Sequence, residues 1–134
     1  MMSPQKAKKR KPAYKIVIVE DDKYLAQAYH LKLQNLNFNV NFANDGEAAL
    51  QIIEKVKPDL IILDLIIPKI NGLNVLKSIR QNKAFDDKPI IVSSNLGQKE
   101  ELDEATKYGA NDFIIKTNTS LEMLVEKINF WLKK

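Results

Sequence analysis

Acidic side chains follow two of the apolar runs in this sequence, at positions where they could bind a metal ion. Asp64 follows Leu60–Leu63, and the acidic triplet Glu20–Asp22 follows Ile16–Val19. Clustered carboxylates repel one another unless a cation lies between them, and an all-oxygen site without histidine or cysteine suits a hard cation such as Mg2+. A carboxylate beside such a cation can also attack a phosphoryl group. The acids therefore predict metal-assisted phosphoryl chemistry, provided that the fold brings the two runs together.

A hydroxyl pair and a lysine follow two further apolar runs. Ser93 and Ser94 come after Ile90–Val92, and Lys116 comes after Phe113–Ile115. A hydroxyl and an ammonium group are the donors that phosphoryl oxygens turned away from a metal ion require. Each of these signals is weak alone, but together they predict one site at the ends of several strands.

The elements that must position these residues alternate along the chain. Five short apolar runs alternate with five segments in which apolar residues recur at helical spacing. This order predicts an α/β fold with a doubly wound, five-stranded parallel sheet in the strand order 2-1-3-4-5. Strands 1 and 3 are then neighbours at the switch point of the topology, where such sheets bind ligands. Because strand 1 precedes Glu20 and Asp21 and strand 3 precedes Asp64, we expect these acids to converge.

Length and composition indicate one domain of ordinary globular type. The chain has 134 residues, of which 45% are hydrophobic and 28% are charged. It has no cysteine, which excludes disulfides and thiolate metal sites. No apolar stretch approaches the roughly 18 residues of a membrane span, and the N-terminus lacks the apolar segment of a signal peptide. We therefore expect a cytoplasmic protein.

The positive net charge belongs to the N-terminal segment. Residues 1–12 contain five basic residues and no acid, whereas the rest of the chain has 16 basic and 17 acidic residues. Such a run predicts a disordered basic arm over 1–12, followed by a folded domain over 13–134. Contact of the arm with nucleic acid is a weaker hypothesis.

Taken together, the motifs resemble the receiver domain of two-component response regulators. The resemblance covers about residues 14–132 and implies a flavodoxin-like (βα)5 fold. It also implies a signalling switch of a two-component system or phosphorelay, which receives a phosphoryl group from a histidine kinase or a histidine phosphotransfer protein. The residues that carry it are Val19–Asp22, Leu63–Asp64 with Pro68 and Gly72, Ser94, and Asp112–Lys116.

The resemblance implies a role for each acid. Asp64 corresponds to the aspartate that accepts the phosphoryl group. Glu20 and Asp21 correspond to the acidic pair that binds Mg2+, with Asp21 and Asp64 as direct ligands and the backbone carbonyl of Ile66 as another. Asp22 follows the pair and is expected to cap the first helix.

The resemblance also implies roles for three residues at the ends of strands 4 and 5. Ser94, rather than Ser93, corresponds to the switch hydroxyl, because it lies five residues after Pro89. Lys116 corresponds to the lysine that pairs with the phosphoryl group. Phe113 corresponds to the aromatic switch residue, although an ordinary half-buried strand residue is the alternative.

The sequence departs from the family in two places. Thr117 follows Lys116 where the family usually has a proline after a cis bond, and a cis bond before another residue costs about 3–4 kcal/mol. We therefore expect either a trans bond with a rearranged loop or a strained cis bond. Ile66 and Leu96 stand where side chains influence the access of water to the acyl phosphate, and both are apolar. They predict slow self-dephosphorylation.

The sequence leaves several functional questions as expectations. Because the chain ends at its last predicted helix, we expect a stand-alone regulator, monomeric or dimeric on phosphorylation, that signals through a face formed by helix 4, strand 5 and helix 5. It would catalyse its own phosphorylation and slow dephosphorylation, without a conventional metabolic activity. The alternative is a cation-binding interaction module whose basic arm contacts nucleic acid. A metal-dependent phosphatase would need a general acid near Asp64, which Leu65 and Ile66 do not supply.

Overall fold

The computed structural model describes residues 13–95 and 97–133, in which five strands alternate with five helices. The expectations for the basic arm and for Leu96 lie outside these residues. None of the helices in the described part is long and apolar enough to cross a membrane. In chain order the elements are β1 Lys15–Val19, α1 Lys23–Gln34, β2 Asn39–Ala43, α2 Gly46–Val56, β3 Leu60–Asp64, α3 Gly72–Gln81, a short 3-10 helix Lys83–Phe85, β4 Ile90–Ser94, α4 Lys99–Lys107, β5 Asp112–Ile115 and α5 Leu121–Leu132.

The five strands form one parallel sheet in the order β2-β1-β3-β4-β5, which confirms the predicted topology. Val19, the last residue of β1, pairs with Leu63, so Glu20 and Asp64 follow at adjacent positions. Asp64 in turn pairs with Ser93 of β4. The register therefore sets the ends of three strands side by side at the carboxyl edge of the sheet.

Helices cover both faces of the sheet, and each face has its own hydrophobic core. Successive residues of a strand point to opposite faces, so a strand covered on both sides must be apolar throughout. This requirement explains the uninterrupted run in β3, where every residue is buried. One core includes Ala49, Ile53, Val75, Leu76, Ile79 and Ala105 of α2, α3 and α4, and the other includes Tyr29, Leu33, Leu124 and Ile128 of α1 and α5.

Side-chain caps fix where four of the helices begin. Asp22 accepts hydrogen bonds from two backbone amides of α1, as the sequence predicts. Asp45, Asn71 and Ser120 each accept one backbone hydrogen bond at the start of α2, α3 and α5. Such caps satisfy amides that the helix itself leaves without acceptors.

Gly72 allows α3 to begin directly against the end of β3. A Cβ atom at this position would lie 2.5 Å from the carbonyl oxygen of Asp64 and 2.5 Å from the Cα atom of Leu65. The Gly72 amide donates to the Leu65 carbonyl at 3.0 Å. A larger residue would push the helix away and move the backbone that carries Asp64. The glycine thus helps to position the candidate site.

Candidate functional site

The acids that follow β1 and β3 lie together at the carboxyl edge of the sheet. One carboxylate oxygen from each of Glu20, Asp21 and Asp64 lies within 4.8 Å of the others. Glu20 is 3% exposed and Asp64 is 2% exposed, whereas Asp21 is exposed to solvent. This is the convergence that the strand order predicts. The cluster therefore has a buried base and one open side.

Glu20 is held by the chain around it. Its amide donates to the Ala43 carbonyl at 2.9 Å, and its Oε2 accepts from the Asp22 amide at 3.1 Å. Burial raises the pKa of Glu20, and the hydrogen bond from Lys116 opposes that increase. Its buried Oε1 lies 3.0 Å from Lys116 Nζ but accepts no hydrogen bond from the described residues. The ammonium group of Lys116 thus lies 3.0 Å from both carboxylate oxygens of Glu20.

Lys116 extends from the end of β5 to the acids. Its Nζ donates to Asp64 Oδ2 at 2.7 Å and to Glu20 Oε2 at 3.0 Å. Burial alone would lower the pKa of Lys116, but the hydrogen bonds to Asp64 and Glu20 outweigh burial and raise it. The Lys116–Thr117 peptide bond is trans, the first of the two expected alternatives, and Lys116 still reaches Asp64. Its ammonium group is therefore charged and lies where a phosphoryl group on Asp64 would meet it.

Two buried hydroxyl groups stand at the end of β4. Ser94 is 0% exposed and Ser93 is 1% exposed. Neither Oγ has a hydrogen-bond partner within residues 13–95 and 97–133. Buried hydroxyls usually have a hydrogen-bond partner, so these two groups are available to bind a water molecule or a ligand. The sequence singled out Ser94 and set Ser93 aside, although the pairing of Ser93 with Asp64 is a signal that strand alignment could have provided.

The segment after Asp64 turns back over its carboxylate. The Ile66 amide donates to Asp64 Oδ1 at 3.0 Å, and the Leu65 amide donates to the Ser93 carbonyl at 3.2 Å. Together with Lys116 at Oδ2, the Ile66 amide fixes both oxygens of Asp64. The side chain of Ile66 is turned outward, and the residue is 54% exposed. The backbone of Ile66 thus contacts Asp64, while its apolar side chain is largely exposed to solvent.

Phe113 lies on β5, three residues before Lys116. It is 49% exposed, so its ring is largely outside the core. The structure thus brings together the acids and Lys116, with the two serines at the adjoining strand end, while Phe113 faces solvent. An outward ring is compatible with either interpretation of this residue, a switch or an ordinary strand residue.

The donor set of the cluster suits a hard divalent cation. Glu20, Asp21 and Asp64 offer carboxylate oxygens, and no histidine or cysteine takes part in the group. The Oε1 atom of Glu20 is buried without a hydrogen bond. Oxygen ligands at one open edge are the environment that Mg2+ prefers, since it retains several of its waters. The residues therefore fit this ion, which would share the carboxylates with Lys116.

Comparison with known protein families and proteins gives consistent results. The model of the response regulator receiver domain matches residues 16–129. A response regulator named ArlR from Staphylococcus saprophyticus is 36% identical over 120 residues, which are 90% of this chain and 53% of that protein. ArlR from Staphylococcus aureus is 36% identical over 119 residues, which are 89% of this chain and 52% of that protein. The chain thus spans about half the length of these relatives.

Solved structures show the same architecture. The chemotaxis response regulator CheY4 of Vibrio cholerae is similar with a TM-score of 0.83 at 26% identity, covering 90% of this chain and 99% of that chain. The BeF3-activated N-terminal receiver domain of RstA from Klebsiella pneumoniae is similar with a TM-score of 0.81 at 27% identity, again covering 90% and 99%. Both match the predicted fold. The comparisons favour a phosphorylation-dependent switch over the alternative of a cation-binding module.

Proposed function

The chain belongs to the response regulator receiver domain family, and we propose that Asp64 is the residue in it that accepts the phosphoryl group. Receiver domains are phosphorylation-dependent switches of two-component signalling and interact with histidine kinases or phosphotransfer proteins. The observation that carries the proposal is the buried contact of Asp64 with Lys116, beside Glu20 and Asp21. A carboxylate held in place at both oxygens is oriented for attack before its substrate arrives.

Glu20, Asp21, Asp64 and the backbone carbonyl of Ile66 are the groups that would hold Mg2+. Held by these groups, the ion would supply positive charge to offset the charge that develops on the transferring phosphoryl oxygens. The geometry of the acids supports this assignment, because one carboxylate oxygen of Glu20 lies within 4.8 Å of oxygens of Asp21 and Asp64. The exposure of Asp21 supports it as well, since the ion must enter from solvent.

In the transfer step a carboxylate oxygen of Asp64 bonds to the phosphorus of a phosphohistidine. The bond from phosphorus to the imidazole nitrogen breaks, and its electron pair stays on the imidazole, which then takes a proton. The product is an acyl phosphate. Lys116 already lies 2.7 Å from Asp64 Oδ2 and can donate to a new phosphoryl oxygen with little movement. Preorganised donors of this kind stabilise the developing charge.

Ser94 and Phe113 would convert the modification into a change of shape. The buried Ser94 hydroxyl has no hydrogen-bond partner among the residues that the structure describes, and a phosphoryl oxygen on Asp64 would supply an acceptor for it. Movement of Ser94 would free space for the exposed ring of Phe113 to turn inward, which changes the face formed by α4, β5 and α5. This is a two-state equilibrium shifted by local electrostatics. The signal would then pass to a protein partner at that face, with the domain monomeric or dimeric.

Incubation with acetyl phosphate and Mg2+, followed by intact-mass measurement, tests the proposal. We expect wild type to gain one phosphoryl group and Asp64→Ala to gain none. Asp22→Asn is the matched control, because it removes an acid from the same edge and keeps a residue that can cap α1. It should be phosphorylated like wild type. An Asp64→Ala variant that is modified as fast as wild type would overturn the assignment.

A further inference from the structure

The strand β5 has a polar anchor at each of its ends. At its carboxyl end, Lys116 bonds to the acid cluster. At its other end, Asp112 Oδ1 accepts from Lys127 Nζ at 2.9 Å and from the Phe113 amide at 2.8 Å. Asp112 Oδ2 accepts from Trp131 Nε1 at 2.9 Å. The carboxylate of Asp112 thus ties the backbone of β5 to two side chains of α5.

We call this contact the Asp112 clamp (Asp112, Lys127 and Trp131). In it, two side chains of one helix bind the same carboxylate. Residues four apart lie on one side of a helix, so Lys127 and Trp131 reach the same carboxylate. Burial alone would raise the pKa of Asp112, but the hydrogen bonds from Trp131 and Lys127 outweigh burial and lower it. Charge-assisted hydrogen bonds of this type are stronger than neutral ones. The clamp therefore resists sliding of α5 along the strand.

The position of β5 connects the Asp112 clamp with the candidate site. β5 is an edge strand of the described sheet, in which its one neighbour is β4. The backbone that follows β5 is also joined to the end of β4, because the Lys116 amide donates to the Ser94 carbonyl at 2.9 Å. Movement at Ser94 is therefore transmitted to one end of β5. The other end carries the Asp112 clamp, and Phe113 lies next to it in the chain.

We propose that Asp112 is a positioning residue, which couples the state of Asp64 to the position of α5. The inference rests on the function proposed above. When Ser94 moves toward a phosphoryl group, its carbonyl draws the Lys116 amide and the end of β5 with it, and Asp112 carries Lys127 and Trp131 along. The signal then reaches α5 through a polar contact on the buried side of β5, in addition to any turn of the Phe113 ring.

Hydrogen exchange of the α5 peptide, measured by mass spectrometry, tests this inference. Wild type and variants are compared before and after treatment with acetyl phosphate and Mg2+, and intact mass scores phosphorylation separately. We expect wild type to change its exchange rate in α5 on phosphorylation. In Asp112→Ala the domain should still be phosphorylated, and that change should fall by at least about fivefold, the low end of usual coupling factors. Asp112→Asn keeps an acceptor for Trp131 and should restore part of the response.

The matched control removes another ion pair of the same helix. Glu122 of α5 pairs with Lys32 of α1 at 3.2 Å, without touching β5. Glu122→Gln should keep the wild-type response. Trp131 is the only tryptophan, so its fluorescence provides a second readout of the clamp. If Asp112→Ala does not fold, Lys127→Met takes its place and must also weaken the response.

Two failures are distinguishable. A wild type that gains no phosphoryl group overturns the proposed function and this inference with it. A phosphorylated wild type whose α5 response survives unchanged in Asp112→Ala, or in Lys127→Met, overturns this inference alone. Equal loss of the response in Asp112→Ala and Glu122→Gln also overturns it, because the effect would then reflect the general stability of α5.

Discussion

At the carboxyl edge of the sheet Lys116 joins two buried carboxylates, whereas at the opposite edge Arg80 joins four acceptors. Arg80 Nε donates to the Gly109 carbonyl at 3.0 Å, and Nη1 donates to the Phe85 carbonyl at 2.6 Å. Nη2 donates to the Lys88 carbonyl at 3.0 Å and to Asn111 Oδ1 at 2.9 Å. Both edges therefore depend on one long cationic side chain.

The two edges differ in what remains without a partner. At the edge that carries Lys116, the hydroxyls of Ser93 and Ser94 are buried and have no hydrogen bond to any described residue. Around Arg80, each acceptor named above is used, and Asn111 Oδ1 also accepts from the Ile90 amide at 2.8 Å. Buried polar groups with all their hydrogen bonds stabilise the fold, whereas buried polar groups without a partner can bind a water molecule or a ligand. We therefore call the carboxyl edge of the sheet, around Lys116, the reactive edge, and the opposite edge, around Arg80, the structural edge.

The largest effect is expected for Lys116→Met. This change leaves the carboxylates of Glu20 and Asp64 buried without a counter-ion, so the free energy of unfolding should fall by about 3–5 kcal/mol in EDTA. Mg2+ should then stabilise the variant more than wild type, because the ion replaces the lost charge. Urea unfolding with and without Mg2+ measures both effects. An equal stabilisation of the two proteins by Mg2+ would argue against a cation site between these acids.

Arg80→Met tests the structural edge. Loss of the guanidinium leaves several carbonyl oxygens without a donor, so the free energy of unfolding should fall by about 2–3 kcal/mol. The dependence of stability on Mg2+ should not change. The folded Arg80→Met variant should still accept a phosphoryl group from acetyl phosphate. A variant that folds but cannot be phosphorylated would remove the distinction between the two edges.

Ile66→Asn tests how the reactive edge controls the loss of phosphate from Asp64. An amide side chain at this position can orient a water molecule, which Ile66 cannot, so loss of phosphate from Asp64 should accelerate by about 10-fold. The rate is followed by intact mass after removal of the phosphoryl donor. Ile66→Val keeps an apolar side chain and serves as the control. A wild type that already loses phosphate as fast as Ile66→Asn would contradict the predicted slow self-dephosphorylation.

The dependence of protein stability on acid pH tests the hydrogen bonds to the Asp112 carboxylate. Its folded-state pKa lies below the ordinary value of 3.8, with burial opposing and the hydrogen bonds from Trp131 and Lys127 prevailing. A lowered pKa means that Asp112 stabilises the fold above its unfolded-state pKa. This contribution is lost as the pH falls through the folded-state pKa. Asp112→Asn should therefore flatten the acid limb of stability against pH, and an unchanged limb would refute the assignment.

The smallest effect is expected for Ser93→Ala. Removal of a buried hydroxyl without a partner should leave the free energy of unfolding unchanged or raise it by up to about 1 kcal/mol. Ser94→Ala should have a similar effect on stability, but it should also weaken the response of the domain to phosphorylation. Thermal unfolding and hydrogen exchange together separate the two serines. A Ser93→Ala variant with a weakened response would give Ser93 a role in the switch.

The sequence predicted the reactive edge better than the structural one. Strand order follows from the alternation of apolar runs and helices. It places Glu20 and Asp64 at neighbouring strand ends and Lys116 at the same edge of the sheet, two strands from Asp64. The bonds of Arg80 could not be predicted in this way, because carbonyl acceptors in loops leave no pattern in side-chain types. The Asp112 clamp left a weak signal, a carboxylate at the start of a strand and donors four residues apart on a helix. Lys116 donates hydrogen bonds to Glu20 as well as to Asp64. This double contact depends on the conformation of the lysine side chain, which the spacing of residues in the sequence does not determine.

Reductive trapping of the phosphorylated residue tests the central claim most directly. Borohydride reduces an acyl phosphate to an alcohol, so an aspartyl phosphate becomes homoserine, while a serine phosphate is not reduced. The protein is treated with acetyl phosphate and Mg2+, reduced, digested and sequenced by mass spectrometry. We predict homoserine at position 64 and at no other acidic residue. Homoserine at position 21 instead, or a stable phosphoryl group on Ser93 or Ser94 with Asp64 unmodified, would contradict the account.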